Sequence, residues 1–164
     1  MTMCMQMNNK VFNIWTQFEQ NRQKGMVKRL YTSDSAINVY CIYQHPEEHY
    51  GIALSFPKSI KFNGNPFSNL SELNVSLYED TSFKNSWLLC ATITDRDKKS
   101  EFSYMCENII QTVLKESNIK SAVATFANTL IKWKNLFDKV RTGGLSREEQ
   151  QGLYGELCML HKFI

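Results

Sequence analysis

Three clusters of side chains in this sequence have types and spacings that could do chemistry. His45-Pro46-Glu47-Glu48-His49 has the H-x-x-E-H form of inverted zinc peptidases. There, two histidines on one helical face hold zinc and the glutamate acts as base. Here the five residues are squeezed between Tyr43 and Tyr50, at the edges of two β-type runs, and Pro46 with so short a span leaves no room for a stable helix. The pattern reads as a solvated hairpin loop. Asp97-Lys98-Lys99, with Asp80 upstream, has the carboxylate–x–lysine form of a nuclease motif. Yet Asp95–Lys99 is wholly charged and lies between a strand and a helix, which is ordinary loop chemistry. The third candidate is Glu156, in a helix near the end of the sequence. It lies about 70° from the centre of a stripe formed by Leu153, Leu157, Leu160 and Ile164, at the apolar border. Gly152 and Gly155 flank it, each costing roughly 1 kcal/mol against Ala inside a helix, which implies a close approach to the backbone. On the residues alone, tight helix packing with Glu156 as a solubilising edge residue accounts for this. His161 stands alone as a surface or core-edge residue, and Asn63-Gly64-Asn65 is a turn. No nucleophile elbow, phosphate loop or Ser/His/Asp arrangement is present.

The elements that must position these residues follow from periodicity. Lys10–Lys24 places Val11, Phe12, Ile14, Trp15 and Phe18 on one face of a helix, with Gly25 as its stop. Five short runs rich in β-branched and aromatic residues come next: Val27–Tyr31, Ile37–Tyr43, Gly51–Phe56, Leu73–Tyr78 and Trp87–Thr94. Their connections are too short for helical crossovers, so neighbouring strands are expected to pair antiparallel. The 3.6-residue period returns in Glu101–Ser117 and in Ser121–Val140, whose broad apolar stripe must be largely buried. Arg141–Gly144 breaks the chain, and Ser146 with Glu149 forms a capping box for a final helix. Strands followed by helices without alternation indicate an α+β fold, here an N-terminal helix, an antiparallel sheet of four to five strands, two long helices and a final helix.

With 164 residues, the chain has room for one ordinary domain, or one domain and the start of another, and for a core without staples. The net charge of +3 is spread evenly, with 8 basic residues before Asp95 and 11 after it, so no basic arm grips phosphates by charge alone. The five cysteines are scattered, contain no CxxC pair and mostly sit in apolar runs; they read as reduced, buried thiols of a cytoplasmic protein. No signal peptide and no membrane span is expected. The tryptophans and most phenylalanines fall on predicted core faces rather than on base-stacking platforms. The apolar stripe of Leu153–Ile164 runs on without a stop signal, as expected where either the domain itself or a continuation of the chain buries it, and truncation of a longer protein is the reading preferred here.

The segment Leu145-Ser146-Arg147-Glu148-Glu149-Gln150-Gln151-Gly152-Leu153-Tyr154-Gly155-Glu156-Leu157, followed by Leu160, resembles the "Ls…q.GL.GEL..L" signature of a PD-(D/E)XK, restriction-endonuclease-like family of prokaryotes, often encoded near restriction or phage-defence genes. Trp133…Leu136-Phe137 resembles the "W..ll" helix that precedes it, and Tyr31–Thr94 is similar in layout to the family's N-terminal region. The resemblance implies that the GEL helix opens the nuclease fold with Glu156 at the edge of the metal site. It implies Mg²⁺ for the full-length family, held by carboxylates that come after this helix, beside a lysine that orients the attacking water. It further implies DNA, and a partner subunit of a restriction or defence system, as partners. Those later residues do not occur by Ile164, so this chain is expected to hold no metal of its own and to be inactive alone. The expected division is a 1–141 N-terminal α+β accessory domain and a 145–164 first helix of a truncated nuclease-like domain. The alternative is a stand-alone, non-enzymatic interaction or regulatory module; a zinc hydrolase at His45 and His49 is a third reading.

Overall fold

Strands that are apolar on both faces belong in the middle of a sheet, and strands that alternate belong at its edge. The computed structural model, which describes residues 9–21, 23–67 and 73–141, follows that rule. Helix α1 (Lys10–Asn21) leads into β1 (Gly25–Leu30), β2 (Val39–His45), β3 (His49–Pro57), β4 (Leu73–Glu79) and β5 (Ser86–Ile93), followed by α2 (Lys99–Leu114) and α3 (Ile119–Arg141). The five strands form one antiparallel sheet in the order β1-β2-β3-β5-β4. The arrangement is α+β, as the sequence order implies.

One pairing departs from the neighbour rule: β3 pairs with β5, not with β4. The connection over 58–72 is long enough to carry the chain past β5. β5 (SWLLCATI) is buried on both faces over most of its length, whereas β4 (LNVSLYE) is mostly half-buried or exposed and takes the edge. The helices begin and end within a few residues of the expected limits. Asn118 starts α3 earlier than Ser121, because its side chain accepts a hydrogen bond from the Ser121 N–H at 2.9 Å.

All three helices pack on one face of the sheet. The core there joins Trp15, Phe102, Phe126 and Leu130 to Cys41, Ile52, Leu54 and Leu89. Trp15 is its pivot. Its ring stacks on Phe102 at 5.7 Å and tilts against Tyr50 at 5.2 Å, and its Nε1 donates to the Gly51 carbonyl at 3.0 Å. The opposite face carries a second, smaller cluster of Tyr40, Ile42, Ala53, Leu88 and Cys90, with no residue from the three helices.

Gly51 lies between these layers, facing Thr92 across β3 and β5. A Cβ there would come within 2.5 Å of both the Ala91 carbonyl oxygen and Thr92 Cγ2. A ladder carbonyl cannot retreat without breaking sheet hydrogen bonds. Gly51→Ala is therefore expected to lower the unfolding free energy by about 2–3 kcal/mol, measured by urea denaturation followed by circular dichroism.

Candidate functional site

Among the described residues, those singled out from the sequence meet in one ion pair between two clusters but assemble no site. His45 ends β2 and His49 begins β3, joined by a three-residue turn, with Gln44 opposite His49. This is the expected hairpin, so the helical face that a zinc pair requires is missing. Glu48 adopts a positive φ of 59° and pairs with Arg96, tying the turn to the segment after β5. Asp97 and Lys98 lie in a 3-10 turn over Arg96–Lys98, capped by Asp95, which accepts from the Asp97 N–H at 3.0 Å. Lys99 turns away from them. Its Nζ donates to Thr16 Oγ1 at 2.9 Å and Glu19 Oε1 at 2.8 Å, and lies 4.2 Å from the Phe12 ring centroid. Asp80 sits at the other end of β5, where its N–H donates to Ser86, a strand length of about 25 Å from Asp95–Lys99. Glu156 lies outside the described residues. Among those described, no three His, Cys, Asp or Glu side chains gather as a set of metal ligands.

Two buried carboxylates organise the molecule: Glu107, which sequence reading passed over, and Asp80, which it met only as the upstream acid of the Asp97-Lys98-Lys99 pattern. Glu107, on α2, is 1% exposed and sealed beneath α1. Oε1 accepts from the Val11 N–H at 2.8 Å, one of the donors left free at a helix start. Oε2 accepts from the Tyr31 hydroxyl at 2.7 Å, and Gln111 Nε2 donates to that same hydroxyl at 2.9 Å. Asn9 completes the cap, accepting from the Phe12 N–H at 3.0 Å while its amide donates to Ser103. Burial, and then the neighbouring carboxylate, push the Tyr31 phenol far above its ordinary value; the same two causes push the Cys41 thiol up to about 12. Burial also raises Cys106 well above the usual thiol value. Neither these thiols nor the phenol is a nucleophile at neutral pH. Beside the cluster a groove of about 920 Å³ opens between α1 and the chain after β1, lined among others by Lys10, Asn13, Gln17, Arg29, Thr32 and Asp34. Both cations are engaged. Lys10 lies over the Tyr31 ring at 4.5 Å, and Arg29 bonds Gln17 while covering Phe18 at 5.2 Å.

Asp80 is the second carboxylate, with a side chain wholly shielded from solvent. It accepts from Lys28 Nζ at 3.0 Å, Ser55 Oγ at 2.5 Å and the Ser82 N–H at 2.9 Å. Burial alone would raise its pKa. The bonds from Ser55, Ser82 and Lys28 outweigh that and hold it below the ordinary carboxylate value. Lys28 also donates to Ser82 Oγ at 2.8 Å and lies 4.7 Å from the Tyr40 ring, so the pair binds β1 to the β4–β5 turn above the smaller cluster. The burial of Asp80 was not legible, because at a strand end between Glu79 and Thr81 a charged residue reads as solvated. Glu107 stood on the flank of the α2 stripe, a flank covered by α1 and Tyr31.

The comparisons assign this arrangement a relationship. A family model described as "Putative PD-(D/E)XK family member" matches residues 11–164. No curated protein and no solved structure matches the chain.

Both carboxylates make measurable claims. Glu107→Ala strands a buried N–H and a buried phenol and is expected to cost about 3 kcal/mol in urea unfolding, while Glu107→Gln, which keeps an acceptor, costs about 1. Asp80→Ala leaves Lys28 without its partner and is expected to cost about 2–4 kcal/mol at neutral pH. Because the folded-state pKa of Asp80 is depressed, its contribution is present above the unfolded-state value and lost as pH falls through the folded one. The gap between wild type and Asp80→Ala should therefore close on acidification, as read from thermal melts.

Proposed function

The chain belongs to the PD-(D/E)XK family, and we propose that it is the N-terminal accessory part, through the first nuclease helix, of a restriction-like DNA endonuclease from a prokaryotic restriction or defence cassette. One observation carries this reading: the match is continuous from α1 to residue 164, taking in both the helix–sheet–helix body and the Leu145–Leu160 segment that bears Gly155-Glu156-Leu157. In this reading residues 1–141 form the accessory domain and 145–164 the opening helix of the nuclease domain. Glu156 stands at the edge of the metal site. When Mg²⁺ is bound by the complete set of family carboxylates, it polarises the scissile phosphate and lowers the pKa of the attacking water. Those carboxylates follow this helix in the family, with Glu156 beside their site. Its sheet and helices orient DNA, or a partner subunit, against the nuclease domain. The setting is the cytoplasm; no helix among the described residues is long and apolar enough to cross a membrane.

The 164-residue chain, incubated with supercoiled plasmid and Mg²⁺, is expected to leave the plasmid uncut, and the intact mass of the native protein from its source cells is expected to exceed 19.1 kDa clearly. Cleavage that disappears in Glu156→Gln would put a complete catalytic set within these residues and sink the accessory reading. A native mass of 19.1 kDa would do the same.

A further inference from the structure

Large apolar side chains left in water mark surfaces that meet something else. Of the four such side chains among the described residues, Met26 is on β1 and the other three, Leu77, Tyr78 and Phe83, are on the β4–β5 hairpin. Phe83 is 46% exposed at the tip of its turn. That turn is firmly held. Asp80 accepts from the Ser82 N–H at 2.9 Å, Lys28 donates to Ser82 Oγ at 2.8 Å, and the Asn85 carbonyl accepts from the Lys58 N–H at 2.8 Å. A tip anchored at three points presents Phe83 with little ordering left to do on contact.

The charges around the tip indicate what it meets. Glu79 is paired with Lys58, which also covers the Trp87 ring at 4.5 Å, and Asp80 is buried against Lys28. Both hairpin carboxylates are thus neutralised. Lys84, next to Phe83, is exposed and forms no ion pair with a described residue. An exposed aromatic face beside an ammonium group with no described partner matches an unstacked base and its flanking phosphate. It is a poorer match to an apolar protein groove, where charged groups are depleted.

We propose that the β4–β5 hairpin is a DNA-contacting element, with Phe83 stacking on an unpaired or unstacked base while Lys84 faces the adjoining phosphate. This deepens the DNA-directed reading above and rests on it for the nature of the ligand. Where duplex DNA is the target, the base is reached at a distorted step; single-stranded DNA offers it directly.

The test is fluorescence anisotropy of the whole chain with a labelled single-stranded oligonucleotide of about 20 nucleotides and the matching duplex. The single strand is expected to bind more tightly than the duplex. Phe83→Ala should weaken single-strand binding about tenfold, with Phe83→Trp restoring it. Lys84→Glu should weaken binding severalfold and reduce the slope of log affinity against log salt by about one. Met26→Ala, on the far edge of the sheet, should bind as the wild type does. No DNA binding by the chain, or Phe83→Ala and Lys84→Glu proteins that bind like wild type, would overturn the proposal. So would loss of a co-purifying protein from Phe83→Ala with DNA affinity unchanged, which would make the hairpin a protein-docking surface. Plasmid cleavage by this chain or a native mass of 19.1 kDa removes the accessory reading without touching this pattern; the absence of the pattern with the plasmid uncut removes the hairpin alone.

Discussion

A carboxylate taken out of water must find donors for its oxygens, and both donors that Glu107 finds come from the start of the described chain, far from it in sequence. Val11 lies 96 residues away and Tyr31 76. Each of these bonds closes a long loop, and together they fix the start of α1 and the exit from β1 against the middle of α2. The helix start gains an anionic cap beneath its first turn, where the backbone N–H groups carry partial positive charge. Once α1 is seated, Trp15 reaches Gly51, and the helical layer is registered on the sheet. A neutral apolar residue at position 107 would fill the space and specify none of this.

Asp80 plays the corresponding part on the other face. Its three donors draw β1, β3 and the β4–β5 turn together over a cluster too small to hold them by burial alone. The two arrangements divide the sheet's labour. The helical face holds the larger core, while the opposite face ends in a braced turn that projects an aromatic side chain and a lysine.

The spacing of apolar residues was enough to locate three helices and five strands, because a period of 3.6 or a β-branched run bounded by turn residues is a local property. Pro46 and the short span between Tyr43 and Tyr50 likewise excluded a zinc-binding helix, and the charged run Asp95–Lys99 was legible as a loop. The insertion of β5 between β3 and β4 was harder to see. It depends on competition among strands for the centre of the sheet, which compares segments far apart in sequence. Phe83 was not singled out, since its exposure at a turn tip comes from the hairpin register.

What the sequence determined by itself is the α+β class and the relationship to the PD-(D/E)XK family, carried by the run from Leu145 to Leu157, where residue identity at fixed spacing is the whole of the signal. What only the tertiary structure decided is the state of the individual charged groups. Lys99 left Asp97 for Glu19, Glu107 and Asp80 became buried anchors, and Lys84 stands exposed with no ion pair among the described residues. The reason is physical: a charge takes its role from solvation and from partners brought close in space, and neither is encoded in its neighbours along the chain.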